Sequence, residues 1–234
     1  MERRTETRKR PGMETFLPRF LESVEKWPSV AAKEWVEQLI QMACDRADIL
    51  AIVAFGSIVR NVSHSADVDL LYVYESEKPA FVTPPLDVDI KAYCKADVES
   101  LVARGQELLC WSIRFGTVLH QKDRYWSDIQ QTWTRHLPLP SAAVAEKRAE
   151  RARRLLDDLR VIGDDDAVQE QSITMLTHQA RACLIRARVF PASRPELPKQ
   201  LRSIGELEIA SRLTDALQKR RDLMETHQSF SPQT

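Results

Sequence analysis

The chain has 234 residues, 43% of them hydrophobic and 29% charged, with 34 basic side chains against 34 acidic ones. This length suffices for one large domain or two small ones, and the apolar fraction predicts a packed core. The neutral balance supplies no overall field to draw nucleic acid or a membrane surface, and no apolar run approaches a membrane span.

Residues 1–12, MERRTETRKRPG, are polar and basic and read as a disordered arm without the apolar stretch of a secretory signal. Phe16, Leu17, Phe20, Leu21 and Val24 predict a helix over 13–26. Ser29 then caps a second helix through about residue 47, with Val36, Leu39, Ile40 and Ala43 on one face. An apolar run from Ile49 to Phe55 predicts a buried strand ending at Gly56-Ser57. Further strands are expected at 68–75, at 86–94 and at 117–120, with a helix from Asp97 to about 104. The aromatic, proline-bearing stretch 126–140 reads as a linker.

Everything after it has helical period. Ala145, Ala149, Ala152, Leu156 and Leu159 share one face of a helix stopped by Gly163. Ile173, Leu176, Ala180, Cys183, Leu184 and Ala187 mark another, and Ile209, Leu213, Ala216, Leu217 and Met224 the last. The expected fold class is α+β: a mixed sheet with flanking helices over 13–125, then an all-helical bundle over 141–227 and a tail at 228–234.

The four cysteines, Cys44, Cys94, Cys110 and Cys183, form no CxxC pair, which argues against zinc and a disulfide framework. Reduced thiols and a cytoplasmic location are expected. The five histidines lack paired-ligand spacing, and there is neither a Walker A loop nor a GxGxxG. Asp164, Asp165 and Asp166 follow Gly163 and open a helix, so capping explains them.

The informative stretch is AFGSIVRNVSHSADVDLLYVYE. Alternation along a strand points Asp67 and Asp69 the same way, and two like charges so close are costly unless a cation joins them. Magnesium, with its oxygen ligands, is suited to that task. LDVDIKAY offers a third carboxylate at Asp89 or Asp87. Gly56 lets a phosphate approach the backbone, Ser57 adds a hydroxyl, and Arg60 lies one turn later. For Asp89 the plainer alternative is a surface ion pair with Lys91 on the same strand face.

These residues resemble the polymerase-β-like nucleotidyltransferase superfamily, whose pattern is an apolar strand, Gly-Ser, about ten residues, Asp-x-Asp and a later strand-borne acid. The resemblance covers roughly residues 30–123. It implies nucleotide-binding residues Gly56, Ser57 and Arg60, and catalytic, metal-holding residues Asp67, Asp69 and Asp89. Val88-Asp89-Ile90 fits the family's Val-Asp-apolar triplet, with Asp87 as the alternative. It further implies two Mg²⁺ ions (or Mn²⁺), an NTP donor with ATP as the default, and transfer of a nucleoside monophosphate to a hydroxyl of a small molecule, a protein or a nucleic acid. Asn61 replaces a second glycine, and Ala66 replaces the serine usual before the first Asp; neither change removes a carboxylate.

The helical half resembles the C-terminal domains of kanamycin nucleotidyltransferase and HEPN proteins, which implies acceptor binding, a homodimer or a HEPN-type partner. Arg181, Arg188 and Arg202 read as a solvated helix face. Arg221 and His227 are similar in spacing to the HEPN Arg-x(4–6)-His motif, against the plainer reading of a basic helix end. A non-catalytic, antitoxin-type module with the same fold, acting through a partner protein, is the rival functional reading.

Overall fold

The computed structural model describes residues 24, 27–60 and 67–229, with side chains through residue 223. The arm 1–12, the helix expected over 13–26 (Val24 aside), the departures at Asn61 and Ala66, and the tail after Ser229 lie outside the described residues. The chain divides into two compact units. The first runs to Glu99 and includes Ser112–Arg135; the second comprises Ser100–Trp111 and the chain from His136 onward.

The first unit is built on four strands in the order β3-β2-β1-β4: β1 Ile49–Phe55, β2 Val68–Tyr74, β3 Val88–Cys94 and β4 Thr117–Gln121. β1 pairs antiparallel with β2 and β4, whereas β2 and β3 run parallel. The sheet is therefore mixed, and the α+β class holds. Every residue of β1 is buried, as expected of a continuous apolar run at a sheet centre.

Helix α1, Val30–Cys44, covers one sheet face. The Ser29 hydroxyl accepts from the Ala32 amide (3.0 Å), which fixes the helix start. Trp35, Val36, Leu39 and Ile40 of α1 pack with Ile52, Ala54, Val68, Leu70, Tyr72 and Val88. Residues 75–87 join the two parallel strands without a helix. Phe81 meets the Tyr72 ring edge-on at 4.7 Å, and the Val82 carbonyl accepts from Trp35 Nε1 (3.3 Å), so this connection is held on the α1 side.

Two helices depart from expectation. α3, Glu107–Phe115, follows α2, Lys95–Ala103, where no helix is anticipated. Gln106 Oε1 accepts from the Leu109 amide (2.7 Å) and starts α3 as a cap outside the usual Ser, Thr, Asp and Asn set. α4, Tyr125–Trp133, replaces the first part of the expected linker, because Trp126 and Ile129 are buried one turn apart. The prolines that suggested a linker come only at 138 and 140.

In the second unit α5, Ala142–Ile162, begins at Ser141, whose hydroxyl accepts from Val144 (3.3 Å), and ends at Gly163 with φ 80°. Asp164 Oδ1 then accepts from Ala167 (3.0 Å) to open α6, Asp165–Arg186, so capping does explain the acidic triplet. α7, Leu197–Ser203, and α8, Leu207–Ser229, complete the bundle. Its core joins Ala152 and Leu156 to Leu176, Ala180, Leu184, Leu197, Leu201, Ala210 and Leu213. Among the described residues no helix is long and apolar enough to cross a membrane.

Candidate active site

β1 ends at Phe55, and the chain turns through Gly56 into a 3-10 turn, Ser57–Val59. Gly56 has φ 81° and ψ −157°, a region in essence reserved for glycine. Its missing side chain is occupied: a Cβ there would overlap Asp69 Oδ2. Phe55 is the register partner of Asp69, which brings the second Asp of the Asp-x-Asp beside the glycine turn.

The parallel ladder then sets Asp69 against Asp89, about 4.8 Å apart across the strands. Both lie on the face opposite Val68, Leu70, Val88 and Ile90, which point into the α1 core. Asp87 is not in this row. It precedes β3, and its carbonyl accepts from the Val68 amide (2.8 Å), so its backbone anchors the start of β2. Asp67 is exposed, one residue before β2.

Lys91 is the next residue on the same face of β3, and its Nζ donates to Asp89 Oδ1 at 2.8 Å. The ion pair foreseen as the plain reading of Asp89 is thus present. Both side chains are about half exposed, so the pair itself contributes little to stability. The Arg60 guanidinium lies over the Phe115 ring, 4.6 Å from its centroid, and Arg114 lies 5.5 Å from the same ring. Sequence reasoning missed Phe115, which sits at the end of the unanticipated helix α3.

Gly56, Asp69 and Asp89 are therefore brought together, with Ser57 and Arg60 following the same turn. Among the described residues no group of three or more His, Cys, Asp or Glu side chains is gathered so as to hold a metal ion. The donors suit a hard divalent cation in type, all being carboxylate oxygens, and the register fixes two of them side by side. Asp89 would have to turn from Lys91 to serve. A cavity of about 450 Å³ opens elsewhere, lined by Leu50, Glu75, Lys95, Lys122 and Tyr125 among others. It lies at the far end of β1, about 20 Å from Gly56, and contains none of the predicted site residues. The carboxylate row differs from this hollow in combining a glycine turn with paired acids.

No family model matches the chain, and no curated protein matches it. Among solved structures it is similar to a nucleotidyltransferase-like protein from Exiguobacterium sibiricum 255-15, with 13% identity and a TM-score of 0.35, over 82% of this chain and 74% of that one. The reading of the site therefore rests on the chain's own residues.

Proposed function

We propose that this chain is a nucleotidyltransferase that moves a nucleoside monophosphate from an NTP, ATP by default, to a hydroxyl acceptor. The observation that carries this reading is the seating of Asp69 against Gly56 with Asp89 beside it in register. Asp67, Asp69 and Asp89 would hold magnesium. The chemistry supplied by the bound ions is acidification of the acceptor hydroxyl and neutralisation of charge on departing pyrophosphate. Gly56 leaves the backbone open to the triphosphate, Ser57 donates its hydroxyl, and Arg60 supplies forked donors once it leaves Phe115. Asp89 accepts the acceptor's proton, the acceptor oxygen bonds to the α-phosphorus, and the bond to the bridging oxygen of pyrophosphate breaks. Positioning and charge stabilisation lower the barrier.

The Asp89–Lys91 pair, which occupies the carboxylate, favours one rival: a non-catalytic module with this fold that acts through a partner protein. Thermal unfolding with Mg²⁺ and each NTP separates the two. A ligand at about 100 times its dissociation constant adds about 2.7 kcal/mol. A Mg²⁺-dependent rise in melting temperature, lost in Asp67→Asn/Asp69→Asn, supports the transferase. No rise with any NTP supports the non-catalytic module.

A further inference from the structure

We propose that the helical unit carries a second ligand site, for a phosphate group, formed by Arg148, Arg181, Arg194 and His178.

Four arginines share two carboxylates there. Glu107 takes Arg148 on one oxygen and Arg181 on the other (3.1 Å to Arg181). Glu170 takes Arg194 (3.4 Å) and Arg220 (3.0 Å) in the same divided way. Across this whole network, Arg220 included, four guanidinium charges against two carboxylates leave an excess of two positive charges. Each guanidinium has five N–H donors and spends one in these pairs. Ordinarily such donors turn to water, yet Arg181 has its side chain only 25% exposed. Its burial pushes its pKa down, as expected of a cation drawn from solvent beside Arg148 and Arg194.

Two buried polar groups on the same helix as Arg181 lack a hydrogen-bond partner among the described residues. Glu170, Thr177 and Arg181 stand at i, i+7 and i+11 of α6 and so share one stripe of that helix. Thr177, midway along the stripe, is 3% exposed, and its hydroxyl has no hydrogen-bond partner among the described residues. His178 follows it, within electrostatic reach of Arg181, Arg148, Arg194 and Glu107, and its Nδ1 is also buried without a partner. Unmet hydrogen-bonding groups at a covered, positively charged place are costly, and one ligand relieves them together. A phosphate monoester matches: it carries close to two negative charges and three acceptor oxygens, which guanidinium forks, a hydroxyl and an imidazole N–H can address from several sides. A carboxylate would neutralise half the excess.

The phosphate could be free or borne by a nucleic acid, and the test separates these sources. The full chain is titrated with inorganic phosphate in EDTA at constant ionic strength, with chloride as the reference, and followed by melting temperature. Asp69→Asn serves as the background, so that the carboxylate row is not read. The expected result is stabilisation by phosphate beyond chloride, with affinity reduced about tenfold in Arg181→Gln and in the more exposed Arg194→Gln. Arg202→Gln, whose guanidinium bonds Thr214 Oγ1 at 2.9 Å, is expected to bind as before. A short single-stranded oligoribonucleotide that binds more tightly than phosphate, with the same dependence on Arg181 and Arg194, identifies the source as nucleic acid. Equal binding without that dependence, or a phosphate response no greater than chloride's in folded variants, overturns the site.

Discussion

Asp69 Oδ2 fills the space that a β-carbon on Gly56 would occupy. The glycine is thus required twice, for its backbone angles and for the carboxylate it accommodates. Gly56→Ala is expected to cost about 1–3 kcal/mol from backbone strain alone, and to displace Asp69 as well. Urea denaturation gives the first quantity. Loss of any Mg²⁺–NTP stabilisation gives the second.

Gly163 provides the contrast. It has φ 80°, yet a Cβ there would meet nothing within 4 Å. Gly163→Ala should therefore cost only about 1 kcal/mol, and Gly163→Asn less, since asparagine tolerates the left-handed region better. The midpoint of a urea melt, at unchanged slope, checks both.

Lys91 Nζ pairs with Asp89 Oδ1 at 2.8 Å and so competes with a cation for that oxygen. Lys91→Gln removes that competitor. If Asp89 serves a cation, the variant is expected to reach half its Mg²⁺-dependent stabilisation at about three- to tenfold lower Mg²⁺, with apo stability changed by less than about 1 kcal/mol. Calorimetric Mg²⁺ titration of wild type and variant is the check.

His178 sets a pH dependence. Burial, then Arg181, pushes its pKa down from 6.5 to about 4, with Arg148 and Arg194 adding to the fall and Glu107 opposing it. Between these values the unfolded chain binds a proton that the folded chain refuses, so stability falls as pH drops from 6.5 towards 4 and levels off below. With the ring partly exposed, the loss is discounted to about 1–2 kcal/mol. His178→Asn should flatten this slope in urea melts across that range.

Strands and long helices were legible because their apolar periods are unambiguous. β1 and the faces of α5 and α6 fall where the pattern puts them, with Ala187 and Leu159 less buried than the pattern implied. α3 and α4 were not legible: each is short, and each is secured by a contact far away or by an uncommon cap, as when Gln130 Nε2 donates to the Ile113 carbonyl (3.2 Å). The carboxylates could be named from spacing, but not ranked. The register sets Asp89 opposite Asp69, whereas Asp87 precedes β3. Arg181 was misjudged as part of a solvated face, because its partner Glu107 lies on another helix and no period links the two. Arg188 is indeed exposed, at φ 61°. Arg221 is exposed and donates to Gln218 Oε1 (2.6 Å), while the side chain of His227 lies outside the described residues.

The connection over residues 75–87 leaves β2 at Tyr74 and returns to β3 on the α1 side of the sheet, whereas Asp69 and Asp89 face the other way. The two carboxylates are aligned by the hydrogen-bond ladder, not by the loop that joins their strands. That loop is therefore a place where the sequence can drift, lengthen or accept a graft at little expense to the carboxylate row, provided Phe81 and Val82 keep their anchors on Tyr72 and Trp35. Diversification of the protein, natural or engineered, has an open channel there that the glycine turn does not offer.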